Sequence, residues 1–194
     1  MLKIILKNEE IYNKQLVQIS DTINLFIIYK IYIMNSSFRQ GIFFGANSGV
    51  LTTAGLITGL VQANITKNYL IISIMSLAIA DSISEAYGMY ISKKAKDIDD
   101  DSQNPIYALV GLLIMKFIVV VSFLIPLIFS NDLTYFKNLY WIIGWSLFLI
   151  SIIDYNISSM REESLLSYLI PHIVVLFSVI YLTQMFGEKI NKIK

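Results

Sequence analysis

The sequence contains no cysteine, so disulfide bonds, thiolate metal sites and cysteine nucleophiles are excluded. It also has few charged residues, 15% of the chain, compared with about 25% in an average globular protein. The net charge is +1 without a basic field, which argues against nucleic acid as a partner. The hydrophobic share is 56% and the mean hydropathy is +0.64. For 194 residues, these values indicate an all-α integral membrane protein rather than a soluble domain.

Five apolar segments have the length of a membrane-spanning helix, which needs about 20 mostly apolar residues. The predicted spans are 40–63, 69–92, 106–129, 139–155 and 165–186. The connecting segments are short and polar, so none of them is large enough to form a soluble domain. We therefore predict a multi-pass, five-helix transmembrane domain over residues 38–188 and a polar C-terminal tail over 189–194.

Residues 1–37 are predicted to form an N-terminal extension that lies along the membrane interface or is disordered. Their apolar stretch, 23–33, is only 11 residues long and includes Lys30, so it is too short to span a bilayer. Met34 directly precedes the first span and is an alternative start of the chain. The distribution of lysine and arginine between the connecting segments favours a cytoplasmic N-terminus.

One face of the first predicted span has small and polar residues, namely Gly41, Gly45, Ser48, Thr52, Gly55, Gly59 and Gln62. Small residues four positions apart allow two helices to approach closely in lipid. We predict that the four glycines of this face pack at the interface of a symmetric dimer. A compatible interpretation is that Ser48 and Thr52 line an ion path between closely packed helices.

The second predicted span has two carboxylates, Asp81 and Glu85, which lie four residues apart and therefore on one helix face. An ionised group near the bilayer centre costs about 2.5 kcal/mol or more, and such groups usually mark ion paths or proton relays. Two like charges this close require a proton, a cationic partner or a metal ion. Hydroxyl oxygens of Ser48 and Thr52 suit a hard divalent ion, and the Met89 thioether adds a softer ligand.

Lys116 in the third span offers a cationic partner, because counting residues from the span ends places it at the depth of Asp81. The same count places Glu85 and His172 at the depth of Ser48. We therefore predict two layers. Asp81 pairs with Lys116 in one, and Glu85 faces the hydroxyls in the other, with His172 as a candidate relay.

These pairs permit two interpretations. In one, Lys116 is the counter-ion that occupies the cation position when no metal ion is bound. In the other, the ion pair only holds helices together. We assign no site to Asp154, which we expect to be solvated or paired with Arg161, and we interpret the acidic run 97–101 as a solvated loop.

Two segments resemble signatures of the vacuolar iron transporter family. Residues 45–53, Gly-Ala-Asn-Ser-Gly-Val-Leu-Thr-Thr, are similar to the first-span signature Gly-x-Asn-Asp-Gly-Leu. Residues 84–92, Ser-Glu-Ala-Tyr-Gly-Met-Tyr-Ile-Ser, are similar to the second-span signature Ser-Met-x-x-Gly-x-Tyr-x-Ser. Pro126 also matches the proline-containing third span of that family.

The resemblance implies a homodimer of five-helix subunits that moves ferrous iron, and often manganese, out of the cytosol in exchange for protons. It also implies an ion path at the dimer interface, lined by the first two spans. The chain departs from the family at two positions. Ser48 stands where the family has an aspartate that binds the metal ion, and Glu85 stands where it has a methionine. The connector 93–104 is too short for the family's glutamate-rich cytoplasmic domain.

The expected function is therefore divalent-cation transport, with Fe²⁺ or Mn²⁺ and protons as substrates and no resident cofactor. The alternative is a non-transporting membrane scaffold or partner-binding protein that keeps the transporter fold. We do not expect an enzyme, because the sequence lacks the Gly-x-Gly-Asp and His-Glu-x-x-His motifs of intramembrane and zinc proteases.

Overall fold

A computed structural model describes residues 36–95, 104–129 and 135–193, and these ranges contain helices and short turns without any strand. The helices, in chain order, are α1 (Ser36–Gln62), α2 (Lys67–Lys94), α3 (Pro105–Ser122), α4 (Leu124–Phe129), α5 (Tyr135–Arg161) and α6 (Leu165–Ile193). The predicted N-terminal extension, apart from Ser36 and Ser37, and the acidic run lie outside the described residues.

Five helical segments in the described ranges are long and apolar enough to cross a membrane, as the sequence predicts. They are α1, α2, α3 together with α4, α5 and α6. Two helices are longer than the predicted spans. Helix α5 runs on to Arg161, and α6 runs on to Ile193, so that most of the predicted C-terminal tail continues the helix.

The third span is interrupted at Phe123, between α3 and α4. Pro126 explains the interruption, because it has no backbone N–H to donate to the Ser122 carbonyl four residues earlier, and its ring crowds that carbonyl. The Ser122 side chain stabilises this point. Its hydroxyl donates to the Val119 carbonyl at 2.6 Å and accepts from the Trp145 indole of α5 at 3.1 Å.

Helix α1 lies at the centre of the bundle and contacts each of the other four long helices. Its contacts with α3 and α6 advance in the same sense along both partners, so these three helices run parallel. Its contacts with α2 advance in opposite senses, because Ser37 bonds Lys93 whereas Ser48 bonds Glu85. Helix α5 returns into α6 through the short turn 162–164 and is therefore antiparallel to it.

The glycines of α1 pack against helices of the same chain, which corrects their predicted place at a dimer interface. Gly41 and Gly45 lie against the α3 backbone, and Gly55 and Gly59 lie against α6 at Val179 and Thr183. A Cβ atom at Gly45 would lie 2.6 Å from the Leu112 carbonyl oxygen. The prediction of close helix packing was right, but these contacts are already satisfied within one chain, because α1 is surrounded by its own helices.

We expect Gly45→Ala to destabilise the bundle by about 1–3 kcal/mol, because the added methyl group must push the α3 backbone away. Thermal unfolding in detergent, followed by far-UV circular dichroism, measures the effect. Gly144→Ala is the matched control, because a Cβ atom there has no heavy atom within 4 Å. Equal melting temperatures for the two variants would contradict the close approach of α1 to α3.

Candidate functional site

The Lys116 side chain reaches from α3 to both carboxylates of α2. Its ammonium nitrogen lies 2.5 Å from Asp81 Oδ2 and 2.7 Å from Glu85 Oε2. The lysine side chain is fully buried, whereas each carboxylate side chain is 28% exposed. One buried cation therefore neutralises part of the charge of two partly exposed anions.

Ser48 of α1 completes this arrangement, which we call the carboxylate cluster (Ser48, Asp81, Glu85 and Lys116). The Ser48 hydroxyl donates to Glu85, at 2.9 Å from Oε1 and 2.8 Å from Oε2, and accepts from Lys116 Nζ at 3.0 Å. The ammonium therefore donates a hydrogen bond to the Ser48 hydroxyl and forms ion pairs with one oxygen of each carboxylate. The cluster thus joins α1, α2 and α3 through charge-assisted hydrogen bonds.

The carboxylate cluster lies in the middle of the helices that form it. Counted from the C-terminal end of α2 and the N-terminal end of α3, its α2 and α3 members lie about 14–20 Å along the helix axis. With both carboxylates ionised and Lys116 protonated, its net charge is −1. A net negative charge in the middle of the bundle stabilises a further proton or another cation at the cluster.

The structure contains the two predicted pairs, Asp81 with Lys116 and Glu85 with Ser48, but it merges the two predicted layers into one. Both carboxylates contact the same ammonium because they are one helical turn apart. The Thr52 hydroxyl donates to the Ser48 carbonyl at 2.8 Å, so its proton is used within α1. Met89 is half-buried one turn beyond Glu85, and no contact described for the cluster involves it.

A second polar group, which we call the histidine cluster (Asn47, Asp154 and His172), joins α1, α5 and α6. His172 Nδ1 lies 2.8 Å from Asp154 Oδ1, and His172 Nε2 contacts Asn47 Oδ1. The Asp154 side chain is 1% exposed and that of His172 is 12% exposed. This placement differs from the prediction, in which His172 joined the layer of Glu85.

The expectation for Asp154 was wrong, because it is neither solvated nor paired with Arg161. The predicted span ends at Tyr155, one residue after Asp154. Helix α5 instead continues to Arg161, so Asp154 lies buried about 10 Å from the helix end. The sequence does contain a usable signal. Asp154 and His172 lie equally far, nine residues, before and after Glu163 in the α5–α6 turn, as partners across a helical hairpin should.

Within the described ranges, no group of three or more histidine, cysteine or carboxylate side chains converges as a ready-made metal site. The carboxylate cluster offers two carboxylates and one hydroxyl, and the Lys116 ammonium lies at its centre. A divalent cation would therefore have to replace this ammonium to reach all three groups.

No family model, curated protein or solved structure gives a significant match to the chain.

We expect Lys116→Met to lower the free energy of unfolding by about 3–5 kcal/mol, because it leaves two neighbouring carboxylates without their cation. Adding Asp81→Asn and Glu85→Gln to the same chain should restore much of the loss, since the uncompensated charges are then gone. Denaturant unfolding in detergent with a metal chelator measures both. A single variant as stable as the wild type would contradict the pairing.

Proposed function

We propose that this chain is a membrane transporter that exchanges a divalent cation for protons at the carboxylate cluster. The observation that carries the proposal is the position of Lys116, a fully buried ammonium between two carboxylates in the middle of a helical bundle. Intramembrane ionisable groups are costly and usually mark ion paths or proton relays.

The cation that the cluster holds, the Lys116 ammonium, is part of the chain. Another cation can therefore displace it from the carboxylates, and it can return when that cation leaves. A divalent ion that enters between Asp81 and Glu85 competes with the ammonium for the same oxygens. If Lys116 then releases a proton to the water of the path, the charge at the cluster changes from −1 to zero instead of rising to +1. Entry of the metal ion thereby favours loss of a proton, which is the requirement for proton exchange.

The contact between Ser48 and Glu85 supports the resemblance to the vacuolar iron transporter family at the two positions where the chain departs from it. That family has its carboxylate at the position of Ser48 and a methionine at the position of Glu85. Because the Ser48 hydroxyl lies within 2.9 Å of both Glu85 carboxylate oxygens, a carboxylate from either helix can reach the same region. Ferrous iron and manganese are the substrates that this resemblance favours.

The exposure of the carboxylates supports a path at the surface of α2 that a second copy covers. Asp81 and Glu85 are each 28% exposed, and their neighbours Ile83, Ser84 and Tyr87 are exposed as well. In a bilayer, an isolated chain would turn these partly exposed charges toward lipid, at a cost of several kcal/mol. A homodimer with α2 at its interface would replace lipid by protein or water at this point.

In the alternative, a non-transporting scaffold, the same ion pairs serve only to hold the helices together. The two functions differ in what they require of Glu85. A scaffold needs only a stable bundle, whereas a transporter needs the negative charge at this position.

We expect Glu85→Gln to reduce metal flux by about tenfold or more, because a charge-assisted interaction is worth about 1.5–3 kcal/mol. Full-length protein is reconstituted into liposomes that contain a metal-sensitive dye, with and without a pH gradient, and Fe²⁺, Mn²⁺, Zn²⁺ and Ca²⁺ are compared. Glu188→Gln is the control, because this exposed glutamate pairs only with Lys192 within α6 among the contacts described. Folded wild-type protein that moves none of these ions would favour the scaffold.

The double variant Ser48→Asp, Glu85→Met tests whether the carboxylate can act from the other helix. We expect Glu85→Met alone to lose flux and the double variant to regain part of it, since residues 48 and 85 are in direct contact. Flux that stays lost in a folded double variant would show that the resemblance does not extend to the ligand positions.

A further inference from the structure

The histidine cluster contains a buried carboxylate, Asp154, which is not part of the carboxylate cluster. Asp154 is 1% exposed, its Oδ1 lies 2.8 Å from His172, and its Oδ2 is buried with no hydrogen-bond partner in the described part of the chain. Burying an ionised carboxylate is costly unless a positive charge accompanies it. His172 is therefore the residue that decides whether Asp154 is compensated.

Among the described side chains of the helices around His172, no lysine or arginine contacts the imidazole ring. Helix α6 packs against α1 and α5. The charged residues of these two helices are Arg39 of α1 and Lys137, Asp154 and Arg161 of α5, and Asp154 is the only one of them that lies away from a helix end. On this side, the titratable groups are Tyr168 of α6 and, in the turn that precedes α6, Glu162 and Glu163. Among these charged and titratable groups, Asp154 alone bonds the ring in the described contacts.

The ring nitrogens of His172 face oxygen atoms on both sides, Asp154 Oδ1 and Asn47 Oδ1. Two acceptors suit an imidazolium, which donates from both nitrogens. If the Asn47 amide turns over, its NH₂ group donates to Nε2 instead, and the ring becomes neutral while Nδ1–H still bonds Asp154. The site thus accommodates both proton states by rotation of one amide, without movement of a helix.

A cavity of about 270 Å³ gives access to this ring. It is open on one side and is lined by Asn47, Tyr168, Pro171 and His172, among others. His172 lies about 10 Å along α6 from the helix start. At that end the Tyr168 hydroxyl donates to Glu163 of the α5–α6 turn at 2.6 Å. The cavity lining thus extends from the ring to Ser167 and Tyr168, toward the end of the bundle at which α5 and α6 meet.

We propose that His172 and Asp154 form a proton-binding site that takes up and releases one proton at Nε2 through this cavity. On release, Nε2 passes its proton to water, Nδ1–H remains bonded to Asp154, and the Asn47 amide turns to donate to Nε2. The site is separate from the carboxylate cluster, and the proposal does not depend on transport.

The chain has a single histidine, so its proton state can be observed directly. We would record ¹⁵N spectra of full-length, histidine-labelled protein in nanodiscs between pH 4 and 9. We expect one reversible protonation within this range, with the deprotonated ring carrying its hydrogen on Nδ1. In Asp154→Asn the midpoint should move to lower pH, because the imidazolium loses its carboxylate.

Glu188→Gln is the control and should leave the midpoint unchanged, since Glu188 lies at the other end of α6. If Asp154→Asn does not fold, the wild-type spectrum alone still decides the question. A ring that stays neutral throughout, or a deprotonated ring with its hydrogen on Nε2, overturns the proposal. A midpoint that Asp154→Asn leaves unmoved overturns it as well.

Discussion

The charge of the Lys116 ammonium is the constraint on which the centre of this bundle depends. A fully buried cation is tolerated only if acceptors surround it, and here Asp81, Glu85 and Ser48 supply them from two other helices. The lysine can reach these groups because α1 and α3 approach very closely. The Lys116 side chain packs against Gly49, where a Cβ atom would lie 3.5 Å from Lys116 Cγ. Close glycine packing and the central ion pairs are therefore parts of one arrangement.

Helix α1 separates two polar clusters that differ in burial and in charge. Asn47 and Ser48 are consecutive, so their side chains leave the helix about 100° apart and meet different neighbours. Ser48 meets the partly exposed carboxylates of α2, whereas Asn47 meets the histidine of α6 beside a fully buried aspartate. The first cluster already holds a cation, the Lys116 ammonium, and the second pairs a histidine with a buried carboxylate. The central helix α1 thus contributes a residue to both the carboxylate cluster and the histidine cluster.

The contact between residues 48 and 85 also bears on how the sequence could vary under the proposed function. Residues 48 and 85 are 37 positions apart in the chain, yet their side chains are in hydrogen-bond contact. A carboxylate at either position places a negative charge beside the same lysine. Selection on the charge at a point in space, rather than on one residue, would allow the acid to move between α1 and α2. Under the proposed function, such a move would explain why the chain resembles the vacuolar iron transporter family but has its acid at position 85 and not at position 48.

The amino-acid sequence by itself determined the helical class and the number of candidate spans. Apolar runs of about 20 residues between short polar segments leave few other arrangements. It also determined that Asp81 and Glu85 share a face, because helical periodicity is a local property. Counting along the spans even identified Lys116 as a partner, since depth in parallel and antiparallel helices follows from residue number.

Only the tertiary structure decided which faces meet. The α1 glycines pack against α3 and α6 rather than against a second copy, because the sequence shows that a face is small but not what fills the space beside it. Both carboxylates converge on one ammonium, and His172 turns to Asp154 and Asn47 instead of Glu85. Asp154 was missed because its burial depends on two further turns of α5 and on the rotation of α6 about its axis. Rotation of each helix is set by side-chain packing between helices, which no single span encodes.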